Sequence, residues 1–224
     1  MLRILHRLTF LVACGLWVSG IYADNTSDDP YREVALGRAG KIVSGMESTA
    51  PVDNRDQVVQ AIADQYVALH SLHDARDAAK QALKENLGEG LETTLESAVA
   101  AVENGIAQEV ADLHIRYCAK LSSLLAPEQV NAVKDGMTYN VAPNTYRVYM
   151  EMLPDLTDDQ RARIHAWLLE AREHAMDGGS SDEKHHWFGK YKGRINNYLS
   201  QLGYDLKQAE HDMFARKKAG KAGG

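Results

Sequence analysis

Apolar residues recur at three- and four-residue steps over almost the whole chain, and this spacing is the feature that most constrains its fold. Such spacing places them on one face of an α-helix. Runs that alternate apolar and polar residues, as half-buried strands do, are scarce. The sequence therefore predicts an all-α fold. Its longest apolar stripe comprises Leu95, Val99, Val102, Ile106, Val110, Leu113, Tyr117, Leu121 and Leu124.

A second long stripe precedes this one, and the two together predict an antiparallel helical hairpin. Gly88 and Gly90 lie between the stripes and favour a turn. We expect the hairpin to pack on a C-terminal multi-helix region within a single compact helical domain, residues 31–216, and residues 217–224 to form a disordered tail. The second stripe begins in a helix that starts near Asp53 or Asn54, and it comprises Val59, Ile62, Tyr66, Leu69, His73, Arg76, Leu83 and Leu87.

The C-terminal region contains recognisable helix starts. Thr157 with Gln160, and Ser180 with Glu183, fit the capping-box pattern, in which two side chains satisfy free N–H groups at a helix N-terminus. They predict helices from about residue 158 to 176 and from about 181 onwards. Residues 135–152 contain a glycine and a proline, and we expect a partly irregular loop with a short helix there.

The N-terminus has the pattern of a secretory signal peptide. Arg3 and Arg7 precede a short apolar run, and a small-residue site ends at Ala23. We therefore expect residues 1–23 to be a signal peptide, residues 24–30 a polar leader, and the protein to be periplasmic or secreted. A lipoprotein acylated at Cys14 is the less favoured alternative, because the segment after Cys14 stays apolar. No later segment is long and apolar enough to span a membrane.

Charge and cysteine content narrow the classes of partner. The net charge of −6 argues against nucleic acid as a partner, because nucleic-acid-binding surfaces are basic. Beyond the signal peptide the only cysteine is Cys118, so an internal disulfide is excluded and stability must come from packing. The oligomeric state stays open.

Polar residues interrupt the second stripe at His73 and Arg76, with Asp77 beside them. Polar groups within an apolar seam need partners, since burying an unpaired charge costs several kcal/mol. They could pair with one another or with Glu103 or Glu109 of the next helix. Alternatively, they could form the polar floor of a ligand pocket, in which Arg76 and Asp77 hold hydroxyl or carboxylate groups. Both interpretations, structural pairing and a ligand pocket, stay open.

The stretch GGSSDEKHHWFGKYKGRINNYL, residues 178–199, combines a core seam with a polar face. Lys190, Arg194 and Asn197 point to one side of the predicted helix and form either a solvated surface or the wall of a binding site. Gly189 and Gly193 begin a stripe of small residues that continues through Asn196 and Ser200. It indicates a close approach to the helix backbone, either by another helix, which we favour, or by a ligand. The seam comprises Phe188, Tyr191, Ile195, Tyr198 and Leu202.

Metal and cofactor motifs are weak. His70, His73 and Asp74 carry suitable donor atoms, but the chain has no HExxH motif and no cysteine pair, so we predict neither a metal nor a cofactor. No GxSxG motif is present. His73, Asp77 and Asp177 leave acid–base chemistry open, and the catalytic residues are unassigned.

Three segments carry a resemblance to a known family. HDARD (73–77), the run from 133 to 157 and the run from 168 to 206 are similar to an exported bacterial domain family of unknown function that is catalogued as a candidate sugar-binding family. The resemblance implies a carbohydrate ligand and a role in polysaccharide utilisation. It implies ligand-binding positions at His73, Arg76, Asp77, Tyr139, Asn140, His185, Trp187, Lys190, Arg194 and Asn197.

Three functional hypotheses follow. The first is an exported carbohydrate-binding or carbohydrate-processing accessory protein, which requires the two polar groups to meet in one hollow. The second is a glycan hydrolase or lyase that uses the acid–base groups around Asp77 and His185. The third is a periplasmic helical chaperone or adaptor, because the starts LLAPEQ and LTDDQ are similar to the LTxxQ motifs of stress chaperones.

Overall fold

The computed structural model describes residues 30–47, 51–86 and 91–222, and every regular element in them is an α-helix. The all-α prediction is therefore confirmed. The helices are α1 (Arg32–Glu47), α2 (Arg55–Asn86), α3 (Glu92–Leu124), α4 (Pro127–Met137), α5 (Val141–Met152), α6 (Asp158–Met176), α7 (Ser181–Gln201) and α8 (Leu206–Ala222).

The chain divides into two compact units. The described part of the first comprises residues 30–44 and Val52–Leu124, and the second comprises Gly45–Pro51 and the chain from Leu125 onwards. The first contains the predicted helical hairpin and the second contains the predicted multi-helix region.

In the first unit, α2 and α3 form the antiparallel hairpin. The Lys80 ammonium near the end of α2 lies 2.6 Å from the Glu103 carboxylate near the start of α3. The predicted α3 stripe is buried or half-buried at every position, and Tyr117 and Leu121 are its most deeply buried members. The predicted α2 stripe is likewise buried or half-buried at each described position, with Ile62, Leu69 and Leu83 buried, although it omits the buried Val58 and Leu72.

In the second unit, α5, α6 and α7 share one hydrophobic core. Helices α6 and α7 run antiparallel, since ring contacts join the end of α6 to the start of α7 and the middle of α6 to the end of α7. This core sets the spacing of the two helices whose outer faces carry the candidate site. Its central side chains include Tyr149, Leu153, Ile164, Leu168, Phe188, Tyr191, Ile195 and Leu199.

Capping residues begin and end the helices of this unit as the sequence indicates. The Thr157 hydroxyl accepts from the Gln160 N–H at 3.3 Å, and the Gln160 side chain accepts from the Thr157 N–H at 2.9 Å. Ser180 caps α7 by accepting from the Glu183 N–H at 3.1 Å. After α7, Gly203 has a φ of +90°, and this left-handed conformation favours glycine.

Three boundaries differ from the predictions. Residues 135–152 are mostly helical, because Pro143 lies in the first turn of α5, where a missing N–H costs no helix hydrogen bond. Gly45, as a helix-breaking residue, predicts the end of the first helix, but α1 continues past it to Glu47. Helix α8 extends to Ala222, beyond residue 216.

The predicted seam of α7 is correct at Phe188, Tyr191 and Ile195, which are all buried. Leu202 is 49% exposed because α7 ends one residue before it, and Leu199 takes the next core position. The favoured interpretation of the glycine stripe is wrong: a Cβ at Gly189 or Gly193 would meet nothing within 4 Å beyond its own helix and chain neighbours. In the described part of the chain, no neighbouring helix approaches these two glycines.

Several predictions concern residues outside the described ranges. They are the signal peptide, residues 1–23, with Cys14, almost all of the polar leader, and the turn at Gly88 and Gly90. Within the described ranges, no helix has the length and apolarity that crossing a membrane requires.

Candidate functional site

The first group of predicted residues lies on α2 in the first unit. Arg76 Nε donates a hydrogen bond to Asp77 Oδ1 at 2.8 Å, and the Asp77 side chain is 65% exposed. Hydrogen bonding to Arg76 holds the pKa of Asp77 below its ordinary value. A carboxyl group in this state is ionised at neutral pH and is poorly suited to donate a proton.

The neighbouring polar groups on α2 also contact acidic side chains. His70 Nε2 lies 3.4 Å from Asp74 Oδ2, and Lys80 pairs with Glu103 across the hairpin. Hydrogen bonding to Lys80 lowers the pKa of Glu103. Glu103, one of the two acceptors proposed on α3, therefore pairs with Lys80. Arg76 bonds to its neighbour Asp77.

The second group lies in the second unit, where an open groove of about 550 Å³ follows one side of α7. Lys190, Arg194 and Asn197 line it, and these are three of the predicted binding residues. Their spacing of three and four residues places them on one helix face. The remaining lining residues are Trp167 of α6 and Gly193, Tyr198 and Gln201 of α7.

Arg194 is held over aromatic rings at the centre of this groove. Its guanidinium carbon lies 4.6 Å from the centre of the Trp167 ring and 5.9 Å from that of Tyr191. Its Nη1 lies 3.6 Å from a Glu170 oxygen, which is an ion pair that is too long for a good hydrogen bond. These cation–π contacts hold the guanidinium over the rings while leaving the side chain 53% exposed.

The aromatic surface continues from Trp167 along α7. The Tyr198 ring meets Trp167 edge-on, with ring centres 5.3 Å apart, and the Arg163 guanidinium lies 5.2 Å from the Tyr198 ring centre. Trp167 and Tyr198 are both half-buried. The core therefore supports these rings on one side, and the groove exposes the other.

Trp187 lies one turn before Lys190 but is already in contact with other groups. The His174 imidazole stacks on its ring with centres 4.3 Å apart and planes 14° apart, and Lys190 Nζ lies 4.9 Å from the ring centre. A ligand that stacked on Trp187 would have to displace one of these contacts. Trp167 likewise has Arg194 over its ring, but unlike Trp187 it lines the groove.

Tyr139, Asn140 and His185 form a separate cluster in the second unit. The rings of Tyr139 and His185 stack with centres 5.8 Å apart, and the Tyr139 side chain is 54% exposed. His185 and Trp187 are two residues apart, and a helix turns about 100° per residue, so they face nearly opposite sides of α7. The cluster is therefore not part of the groove.

The backbone of this cluster is strained. Tyr139 and Asn140 have φ values of 58° and 56°, a left-handed conformation that costs a non-glycine residue roughly 1–2 kcal/mol. Asn140 bears this better than Tyr139, because a short polar side chain can bond locally. A buried hydrogen bond from Lys184 Nζ to the Met137 carbonyl, at 3.0 Å, secures the preceding helix end.

A buried arginine fixes α4 against α6 beneath the same turn. Arg172 is 3% exposed, and it donates to Asp135 at 3.0 Å, to Asn131 at 2.8 Å and to Glu173 at 3.1 Å. Lys134 adds a 2.6 Å contact to Glu173. These bonds compensate the burial of a charge, and they account for the fixed geometry of the α4–α5 turn.

A second depression, of about 410 Å³, lies between α5, α7 and α8. On its wall the Tyr149 hydroxyl donates to Asn196 Oδ1 at 2.6 Å. Burial raises the pKa of Tyr149 to about 12, so its hydroxyl is neutral at physiological pH. None of the ten predicted residues lines this depression.

The structure therefore distributes the predicted residues over distinct places. Lys190, Arg194 and Asn197 share the groove, Trp187 adjoins it, and Tyr139, Asn140 and His185 form the second cluster. His73, Arg76 and Asp77 belong to the other unit, so the prediction that all of them serve one hollow stays a prediction.

Sequence reasoning missed Trp167 and Gln201 as groove residues and assigned Tyr198 to the core. A usable signal was present on α6, where Arg163, Trp167, Glu170 and His174 follow at steps of four, three and four. The same spacing continues on α7 from Trp187 to Asn197. When two neighbouring helices run antiparallel and each carries such a face, the pattern predicts that their aromatic and cationic side chains line one shared surface.

Comparison with known proteins identifies the family. No curated protein of known function matches the chain. A family model described as a protein of unknown function, DUF3826, matches residues 32–219, which include all eight helices except the last residues of α8. The chain therefore belongs to the DUF3826 family.

Proposed function

We propose that this protein is an exported carbohydrate-binding accessory protein of a polysaccharide-utilisation system and that the groove between Trp167 and Asn197 is its saccharide site. The observation that carries the proposal is the grouping of Lys190, Arg194 and Asn197 with two half-buried aromatic rings around one open volume. Export through residues 1–23 is part of the proposal.

The lining of the groove has the chemistry that a sugar requires. A saccharide ring presents C–H groups that pack on an aromatic surface, and its hydroxyls need donors and acceptors in fixed directions. Trp167 and Tyr198 offer the aromatic surface, and the amides of Asn197 and Gln201 offer both donors and acceptors. The volume of about 550 Å³ falls within the range of roughly 300–1,000 Å³ that is usual for ligand sites.

Two variants and one control test this proposal. Calorimetric titration with neutral and acidic oligosaccharides should detect a ligand. Asn197→Ala and Arg194→Ala should each weaken the binding of this ligand at least about fivefold, because a lost hydrogen bond costs roughly 1 kcal/mol or more. Lys192→Ala, on the same helix but in the wall of the other depression, is the matched control. If no oligosaccharide binds, or if the control weakens binding equally, the groove is not a saccharide site.

A hydrolase or lyase centred on Asp77 has less support. Its acid–base cycle would need a carboxyl group that holds a proton near neutral pH, which requires a raised pKa. The hydrogen bond from Arg76 instead lowers the pKa of Asp77. His185 Nδ1 is also engaged, because it donates to the Ser181 carbonyl at 2.7 Å. The binding role is therefore preferred.

A further inference from the structure

The groove carries positive charge on an otherwise acidic protein. Its seven lining residues include Lys190 and Arg194 and no acidic side chain, whereas the chain as a whole has a net charge of −6. Arg163 adds a third cation beside Tyr198. A groove of one sign on a protein of the opposite sign attracts an oppositely charged ligand and repels it elsewhere.

Neither lining cation is held in a short ion pair. Lys190 has no ion pair with an acidic group in the described part of the chain, and its ammonium lies 4.9 Å from the centre of the Trp187 ring. Arg194 has the 3.6 Å contact with Glu170, and both of these side chains are about half exposed. Exposed ion pairs of this length contribute little, so a ligand anion can replace Glu170 at small cost.

The geometry of Arg194 favours a carboxylate. A guanidinium binds a carboxylate through two parallel N–H donors, and this two-point bond requires a fixed plane. The Trp167 ring, whose centre lies 4.6 Å from the guanidinium carbon, restricts where Arg194 can place these donors. Lys190 lies four residues earlier on the same face and would add a point charge one helical turn away.

We infer that the groove selects acidic saccharides. Arg194 binds the carboxylate of one uronic-acid residue, Lys190 binds the carboxylate of the neighbouring residue, and the parts of Trp167 and Tyr198 that the arginine side chains leave uncovered contact the sugar rings. This inference rests on the proposed function and names its ligand class. Sulfated sugars have the same charge but a different anion, so the experiment separates the two.

The experiment compares three tetrasaccharides by calorimetry with the full-length mature chain. They are a galacturonic-acid tetramer, the same tetramer with its carboxyl groups reduced to alcohols, and a sulfated galactose tetramer without carboxyl groups. We expect the carboxylated tetramer to bind at least tenfold more tightly than the reduced one. Its affinity should fall as salt rises from about 20 to 200 mM, since exposed charges are screened over about 10 Å at 0.1 M salt.

Variants of the lining residues test whether the groove is the source of the preference for the carboxylated tetramer. Arg194→Lys keeps the charge but removes the two-point donor, and Arg194→Gln and Lys190→Gln remove charge. All three should reduce the preference for the carboxylated tetramer over the reduced one. Lys192→Gln on the same helix should change neither this preference nor the binding of the reduced tetramer.

Three results would overturn the inference. Equal affinity for the carboxylated and reduced tetramers would reject the preference for acidic sugars while leaving carbohydrate binding intact. Tighter binding of the sulfated tetramer would reject the carboxylate. If none of the three binds, and no neutral oligosaccharide binds either, both the inference and the proposed function are wrong.

Discussion

At the scale of single residues, the surroundings of a side chain separate a structural role from a binding role. Arg172 is 3% exposed and has three side-chain acceptors, whereas the Arg194 side chain is 53% exposed and stacked on an indole ring. The sequence shows two arginines in neighbouring helices and gives no sign of this difference. Only the packing of α4 against α6 makes Arg172 a structural residue.

Arg172→Met should therefore be far more destabilising than Arg194→Met. Removing Arg172 leaves Asp135 without its ion-pair partner and Glu173 with Lys134 alone, which we expect to cost about 3 kcal/mol of unfolding free energy. Removing the exposed Arg194 should cost less than about 1 kcal/mol. Urea unfolding monitored by circular dichroism measures both, and equal losses would contradict the assignment of Arg172.

At the scale of elements, the helix starts of the second unit could be predicted because they depend on local chemistry. The reciprocal bonds between Thr157 and Gln160 need only four consecutive residues, so the sequence contains all the necessary information. The prediction failed for residues 135–152, where Pro143 suggested an interruption and instead lies within the first turn of α5. The effect of a helix-breaking residue such as proline therefore depends on its position in the helix.

Thr157→Ala should destabilise the second unit by about 1 kcal/mol. The substitution leaves an N–H group at the start of α6 without its side-chain acceptor, and helix caps of this type are worth roughly 0.5–2 kcal/mol. Thr157→Ser retains the hydroxyl and is the matched control. Thermal and urea unfolding of both variants test this, and an alanine variant as stable as the serine variant would show that the cap contributes nothing.

At the scale of the whole molecule, pH acts on stability through buried groups rather than through net charge alone. Burial raises the pKa of Tyr149 to about 12, and burial together with the Glu170 carboxylate raises that of Tyr191 to about 12 as well. Both are buried members of the core that α5, α6 and α7 share, and Tyr149 also lines the second depression. The folded protein therefore keeps them neutral in a pH range in which the unfolded chain ionises them.

Stability should fall as pH rises above about 10. Below pH 10 Tyr149 is neutral in both states and its contribution is complete, whereas between pH 10 and 12 only the unfolded chain ionises and the contribution is lost. A difference of one pH unit in pKa corresponds to about 1.4 kcal/mol, so the loss for Tyr149 is on the order of 2 to 3 kcal/mol by pH 12. Urea midpoints at pH 8 to 11.5 measure this loss, and Tyr149→Phe should reduce it. An unchanged slope in the phenylalanine variant would exclude Tyr149 as its source.

The sequence by itself determined the helical class, the hairpin stripe of α3, the capped starts of α6 and α7 and the core positions Phe188, Tyr191 and Ile195, because each depends on residues close together in the chain. It also placed Lys190, Arg194 and Asn197 on one face, since helical spacing alone does so. Only the tertiary structure decided that Trp167 lies beneath Arg194, that His174 contacts Trp187 and that Gly193 lines an open groove. Those contacts join residues more than ten positions apart, and they depend on the antiparallel packing of α6 on α7, which no local pattern specifies.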